Sequence, residues 1–228
     1  MLSIIVPTLN EGRNIDYFSS KIKNLKFRYE LIYVDDNSTD NSQAILKKNK
    51  KKNIKFIIRK NKERDLSKSV ILGLTKAKYD HVMVMDCDNQ HNISDANKMY
   101  KIFLKKKLDL IIGSRFKYKK FSGNLGIKRS LSSYLFLIII NLILPKITTD
   151  PLSGFFICKK KILLSNKKRY FLKGYKILFD IIYNSKTRLK TFDFQINFGK
   201  RRSGQSKMNK KIVLIFIRQF IFTLLKKF

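Results

Sequence analysis

The stretch Asp86-Cys87-Asp88-Asn89-Gln90-His91 follows the apolar run Val82-Met83-Val84-Met85 without a break. A strand buried on both faces reads as such a continuous run, and open α/β sheets place their ligands at the carboxyl ends of strands. Residues i and i+2 of an extended chain point the same way. Asp86 and Asp88 can therefore converge on one hard divalent cation, with Gln90 offering a third oxygen. A cation held by so few protein groups keeps positions open for phosphate oxygens. The competing reading is a solvated strand-to-loop turn, where Asp and Asn are ordinary residues.

Two further polar turns leave apolar runs in the same manner. Val6-Pro7-Thr8-Leu9-Asn10-Glu11-Gly12 turns off the first predicted strand into a helix, and Val34-Asp35-Asp36-Asn37-Ser38-Thr39-Asp40-Asn41 ends the second. Predicted strands at Ser3–Val6, Leu31–Val34, Lys55–Ile58, His81–Met85 and Leu108–Ile112 alternate with predicted helices. Those helices are Asn14–Lys23, Asp40–Lys48, Ser67–Lys76 and Ser94–Lys105, several opening on a Ser, Asp or Asn suited to an N-cap. The alternation predicts an α/β protein, a mostly parallel doubly wound sheet with helices on both faces. In such a sheet the three turns stack at the carboxyl ends of the first, second and fourth strands, where a nucleotide would lie.

A chain of 228 residues suits one large domain, here residues 1–210 with a tail at 211–228. Its 44% hydrophobic content excludes a largely disordered protein, although 29% of residues are charged. The net charge of +34 fits nucleic acid, an anionic membrane surface or phosphorylated substrates, and Lys/Asn-rich text such as Lys47–Asn53 fits plain compositional bias equally well. Cys87 and Cys158 lack CxxC spacing, which argues against a disulfide framework or a zinc site. The start Met1-Leu2-Ser3-Ile4 carries no basic region ahead of an apolar one, so no signal peptide is expected. RRM, KH and helix-turn-helix signatures are absent from the sequence, and nucleic acid is not the expected partner.

Two apolar segments stand out in the second half. Leu135–Leu144, within residues 130–145, is flanked by Lys128, Arg129 and Lys146, and Ile212–Leu225 lies between Lys210-Lys211 and Lys226-Lys227. Both fall short of the about 20 apolar residues of a membrane-spanning helix, and Arg218 and Gln219 interrupt the second. The first reads as a helix lying in a membrane interface or as a buried core helix, the second as an amphipathic tail docked on the domain or on lipid. Beside a basic surface, two such elements predict a peripheral membrane protein.

The ordered set of motifs resembles the family 2 (GT-A type) glycosyltransferases, in particular the dolichyl- and polyprenyl-phosphate mannosyltransferases. It comprises the three turns above, Asp65-Leu66-Ser67, Gly113-Ser114-Arg115, Asp150-Pro151-Leu152-Ser153-Gly154-Phe155-Phe156, Lys173-Gly174-Tyr175-Lys176 and Arg201-x-x-Gly204-x-Ser206-Lys207. The resemblance implies a GT-A nucleotide-diphospho-sugar transferase fold. It implies that Pro7, Leu9, Glu11, Val34 and Asp36 hold base and ribose, with Cys87 also against the substrate, and that Asp86, Asp88 and Gln90 hold Mg²⁺ or Mn²⁺. Arg115, Arg129 and Ser133 would hold the acceptor phosphate, and Arg201 and Lys207 the donor diphosphate, with Asp88, Arg115 and Arg129 as the catalytic groups.

The implied reaction moves mannose from GDP-mannose to a polyprenyl or dolichyl phosphate at the cytoplasmic membrane face, alone or with a membrane-protein partner. The acceptor phosphate is already an anion and needs no protein base, so an in-line attack inverts the sugar C1. Alternatives are a UDP-sugar donor on the same lipid, a family 2 enzyme acting on a glycan, and a basic nucleic-acid-binding module. The chain departs from the family pattern at Leu9, where an aromatic is usual, at Asn37 in place of Gly, and at Asn89 in place of an apolar residue.

Overall fold

A computed structural model of the chain describes residues 1–60, 63–117, 120–121, 136–140, 142–204 and 210–226. All nine predicted elements of the first half are present. The strands are Leu2–Thr8 (β1), Tyr29–Asp35 (β2), Ile54–Ile58 (β3), His81–Val84 (β4) and Leu110–Ser114 (β5). They alternate with the helices Gly12–Lys21 (α1), Ser42–Lys48 (α2), Leu66–Lys76 (α3) and Ile93–Lys105 (α4). β5 starts two residues later than the apolar run predicts, because Lys107 adopts a left-handed φ of 49° and Leu108 donates back to Phe103 O at 3.1 Å, closing α4. Beyond β5 lie a short hairpin, Phe116–Lys117 (β6) and Lys120–Phe121 (β7), and two strands outside the five predicted ones, Phe156–Lys159 (β8) and Thr191–Gln195 (β9). Helices Lys160–Ser165 (α5), Ile177–Asn184 (α6) and Lys210–Leu225 (α7) follow, with short 3-10 turns at Ile22–Asn24 and Lys167–Arg169 and helical residues at 136–140 and 142–143.

The main sheet runs β3-β2-β1-β4-β8-β5-β9. All pairings are parallel except those of β8, which is antiparallel to both β4 and β5. That reversal matters for the site. Phe156, the first residue of β8, pairs with Val84 and with Ile112. The loop leading into β8, residues 150–155, therefore joins the carboxyl edge where β4 and β5 end.

Alternating strand residues divide between two cores, one per sheet face. On one face Leu2, Ile4 and Val6 of β1 pack with Ile15 and Phe18 of α1 and with Met99 and Phe103 of α4. On the other, Ile5 packs with Val70 and Leu74 of α3, Phe179 and Ile182 of α6 and Phe216 of α7. α3 lies so close to β1 that a Cβ on Gly73 would stand 2.7 Å from Ile5 Cγ2.

Both apolar segments of the second half dock on the domain by one face and expose another. In the described part of the first, Leu137, Ile140 and Leu144 are buried while Ile138, Ile139, Leu142 and Ile143 are exposed. Residues 130–135 of the predicted interfacial helix lie outside the described residues. In α7 the buried stripe is Ile212, Phe216, Gln219 and Thr223, and the exposed one Leu214, Ile217, Ile221 and Leu225. Gln219 Nε2 donates to Lys176 O at 3.1 Å, and Asn184 Nδ2 to Thr223 Oγ1 at 3.1 Å, so polar bonds fix how α7 sits. The rings of Phe136 and Phe216 meet edge to face at 5.3 Å, which joins the two segments. Among the described residues no helix is long and apolar enough to cross a membrane.

Candidate functional site

The ends of β1, β2 and β4 deliver the three polar turns to one edge of the sheet. Each carries an asparagine in left-handed conformation, with φ of 53° at Asn10, 60° at Asn37 and 71° at Asn89. Asn pays little for that geometry, so its replacement of Gly at position 37 leaves the turn intact. The first two turns are laced together. Asn10 N donates to Ser38 Oγ at 2.8 Å, Thr39 N to Asn10 Oδ1 at 2.8 Å, and Glu11 N to Ser42 Oγ at 2.9 Å. Asp35 is fully buried and accepts from Ser38 N at 2.9 Å and Gln43 Nε2 at 3.0 Å, a role internal to the turn.

Asp36 faces the cleft. Its Oδ1 takes Arg59 Nε at 2.7 Å and Nη2 at 2.6 Å, and its Oδ2 accepts from Asp65 N. Asp65 in turn caps α3 by accepting from Lys68 N at 3.1 Å, and with its other oxygen accepts from Gly174 N at 2.8 Å. Ser67 N returns a bond to Gly174 O at 3.0 Å. This chain of contacts locks the Lys173–Lys176 turn against α3 and brings Tyr175 and Lys176 into the cleft. Gly174 is needed there, since its φ is +88° and a Cβ would stand 2.8 Å from Ile215 Cγ2.

In the third turn Asp88 is buried and its Oδ1 accepts from Gln90 N at 3.0 Å. Arg201 Nη2 lies 2.7 Å from Asp88 Oδ2 and 3.4 Å from Gln90 Oε1, while its Nη1 is 3.7 Å from Glu11 Oε1. Burial, and next the charge of Asp86, push the Asp88 carboxyl above the usual carboxylate range. A buried carboxylate with a second one nearby suits a cation, and here a guanidinium takes that place. Among the described residues no three His, Cys, Asp or Glu side chains cluster as a metal site, so a cation would rely on Asp86, Asp88, Gln90 and substrate oxygens together. Gly154 leaves Asp86 room, because a Cβ there would be 3.3 Å from Asp86 Oδ2.

His91 supports this turn from below. Its Nδ1 accepts from Asp86 N at 3.1 Å, its ring stacks on Phe155 at 4.7 Å, and burial brings its pKa down to about 4. It is a neutral prop, with its ring proton on Nε2. From above, residues 199–204 strap the turn down. Gly199 N donates to Gln90 O at 3.0 Å, Gln90 Nε2 to Gly199 O at 3.2 Å, and Arg202 N to Asp88 O at 3.0 Å. Arg202 also donates to Arg13 O at 2.6 Å and lies 4.4 Å from the Tyr17 ring centroid, fastening the strap to α1. Arg115, just past β5, is clamped by Asp150, with Nε to Oδ2 at 2.7 Å and Nη2 to Oδ1 at 2.8 Å.

One cleft of about 170 Å³ is lined by Pro7, Leu9, Glu11, Asp36, Asp86, Cys87, Asp88, Gln90, Arg115 and Arg201, all of them residues the sequence nominates. Val34 is fully buried in the core beneath and is not part of the lining. Arg129, Ser133 and Lys207 lie outside the described residues. Several lining residues carry no role in the sequence reading: Thr8, whose buried Oγ1 has no partner among the described residues, His91, Ser153, Tyr175 and Lys176. Arg59 and Asp65 support the wall from behind. Only motif membership hints at Tyr175 and Lys176, and no local pattern marks Arg59.

Residues 3–165 match the profile of glycosyl transferase family 2. The chain is 33% identical to the dolichol-phosphate mannosyltransferase of Pyrococcus furiosus, over 99% of its own length and 64% of that protein's. It is 28% identical to the dolichol-phosphate mannosyltransferase of Saccharomyces cerevisiae, over 95% of this chain and 84% of the yeast protein. Among solved structures, glucosyl-3-phosphoglycerate synthase from Mycobacterium tuberculosis superposes with a TM-score of 0.72 at 18% identity, covering 99% of this chain and 79% of that one. Another structure of that enzyme, in complex with Mn²⁺, UDP and glucosyl-3-phosphoglycerate, gives a TM-score of 0.71 at 19% identity, over 99% and 79% of the two chains. The fold shared with these proteins is GT-A, with its three turns at the carboxyl edge of the sheet, and the chain belongs to glycosyl transferase family 2.

Proposed function

We propose that the protein transfers mannose from GDP-mannose to a dolichyl or polyprenyl phosphate, with inversion at the sugar C1, as a peripheral enzyme on the cytoplasmic face of a membrane. The observation that carries this reading is the pairing of two arginines with two carboxylates in one cleft. Arg201 sits on Asp88 at 2.7 Å and Arg115 on Asp150 at 2.7 Å, and both arginines line the cleft. A leaving diphosphate and an attacking phosphate are both anions, and each needs a cationic partner.

Pro7, Leu9, Glu11 and Asp36 form the nucleoside end of the cleft, where the Arg59 pair holds Asp36 in one orientation. Asp86, Asp88 and Gln90 would hold Mg²⁺ or Mn²⁺, which when bound neutralises charge on the leaving nucleoside diphosphate. Arg201, turned from Asp88, donates to that diphosphate, with Lys207 as its companion. Arg115, with Arg129 and Ser133, orients the acceptor phosphate. No base is assigned, since the phosphate monoester already carries the attacking lone pair. The exposed Ile138, Ile139, Leu142 and Ile143, together with the exposed stripe of α7 on a chain of net charge +34, support docking on an anionic lipid surface.

The test is transfer to polyprenyl phosphate with Mg²⁺ or Mn²⁺, offering GDP-mannose, UDP-glucose and UDP-N-acetylglucosamine in parallel and weighing the lipid product. Product from GDP-mannose alone, lost in Asp88→Ala, is expected. Product from a UDP-sugar replaces the donor in this reading, and no lipid product from any donor removes the lipid acceptor.

A further inference from the structure

Asp150 is fully buried beside the cleft, and the transfer outlined above leaves it without a task. Its surroundings fix it firmly. Thr148 Oγ1 and Thr149 N donate to Asp193 of β9 at 2.5 and 2.6 Å, and Thr149 Oγ1 meets Ser114 Oγ of β5 at 2.7 Å. Asp150 N is held by Thr148 Oγ1 at 3.2 Å. Two strands thus set the position of this carboxylate before any substrate arrives.

A buried carboxylate at the edge of a transferase cleft invites assignment as the general base. Its oxygens are otherwise engaged. Oδ1 accepts from Arg115 Nη2 at 2.8 Å, and Oδ2 from Arg115 Nε at 2.7 Å and Arg115 N at 3.1 Å. A guanidinium has five N–H donors in a rigid plane, and a carboxylate across the Nε–Nη2 edge leaves Nη1 as the end for a further oxygen.

We infer that Asp150 is a positioning residue, which clamps the Nε–Nη2 edge of Arg115 so that Nη1 meets the acceptor phosphate in one orientation. The inference rests on the reading of Arg115 as an acceptor-phosphate ligand. Asp150 also offsets the arginine's charge, so the phosphate is held by direction more than by raw attraction. It removes no proton, and the acceptor presents none to remove.

The experiment compares wild type, Asp150→Asn, Arg115→Met and the double variant, measuring kcat and KM for polyprenyl phosphate across pH. Asp150→Asn is expected to lower kcat/KM for the acceptor ten- to a hundredfold and to leave the shape of the pH profile unchanged. The double variant should be no worse than Arg115→Met alone. Loss of the acidic limb of the profile in Asp150→Asn, or effects that multiply, overturns the inference. Arg115→Lys keeps the charge without the fork and covers the case in which Asp150→Asn does not fold. A tenfold or greater fall in kcat/KM is expected of it, and full activity overturns the inference. If wild type transfers nothing to polyprenyl phosphate, the acceptor reading fails on its own. The pairing is then read from urea unfolding of the same four proteins, where strictly additive losses overturn it.

Discussion

Arg201 occupies the place a cation would take on Asp88, so removing it should tighten metal binding in the absence of nucleotide. The contact is a charge-assisted bond of 2.7 Å, with side-chain exposures of 23% for Arg201 and 3% for Asp88. Bonds to charged groups contribute roughly 1.5–3 kcal/mol, and the partial exposure of Arg201 argues for the lower end. A cation entering the site must displace that contact. At about 1.4 kcal/mol per tenfold, Arg201→Met should bind Mn²⁺ on the order of ten times more tightly than wild type. Titration of the nucleotide-free protein with Mn²⁺, followed by electron paramagnetic resonance of the free ion, reads this directly. With GDP present the order should reverse, because the variant lacks a donor to the diphosphate. Were Arg201 only a structural strap, its loss would loosen the Asp88 turn and weaken Mn²⁺ binding. Unchanged or weaker binding without nucleotide therefore refutes the reasoning.

His91 makes stability depend on pH. Its folded pKa of about 4 lies below the ordinary value of 6.5, so its contribution is fully present above pH 6.5 and is lost as pH falls toward 4. The loss reaches about 3 kcal/mol at pH 4, at 1.36 kcal/mol per pH unit, and thermal unfolding of His91→Phe should show a correspondingly flatter dependence between pH 7 and 4.5. Gly174→Ala places a Cβ 2.8 Å from Ile215 Cγ2 at φ +88°, and should cost roughly 1–3 kcal/mol in urea unfolding. Gly204→Ala, at φ +86° with nothing within 4 Å among the described residues, should cost only the backbone strain, about 1 kcal/mol. Leu142→Glu combined with Ile221→Glu places charges on the two exposed apolar faces, and co-sedimentation with anionic vesicles should fall at least tenfold while unfolding is unchanged.

Legibility follows the range of the interaction. The strands leading to Pro7, Asp36 and Asp86 are visible as apolar runs, because a strand buried on both faces is apolar along most of its length, and the buried Ser3 and Glu30 are tolerated by bonding to each other. That Asp86 and Asp88 reach one cleft follows from their place just past a strand end, and the tolerance of Asn37 for a left-handed turn is a local backbone property that its residue type announces. β8 was not legible in this way, since its placement between β4 and β5 and its reversed direction depend on pairing with strands far away in sequence. For the same reason α7 reads as apolar with two polar interruptions, and only packing shows that Gln219 faces inward to meet Lys176 O while Arg218 stays outside.

Within the site, the residue types proposed to hold phosphate and metal are set by the sequence, but their partners are decided by the fold. Arg201 reaches Gln90 across 111 residues, Asp65 receives Gly174 across 109, and Arg115 finds Asp150 across 35. A long flexible side chain can serve many neighbours. Which carboxylate it meets, and which edge of a guanidinium remains for substrate, is settled when the sheet brings its strand ends together and excludes water from between them.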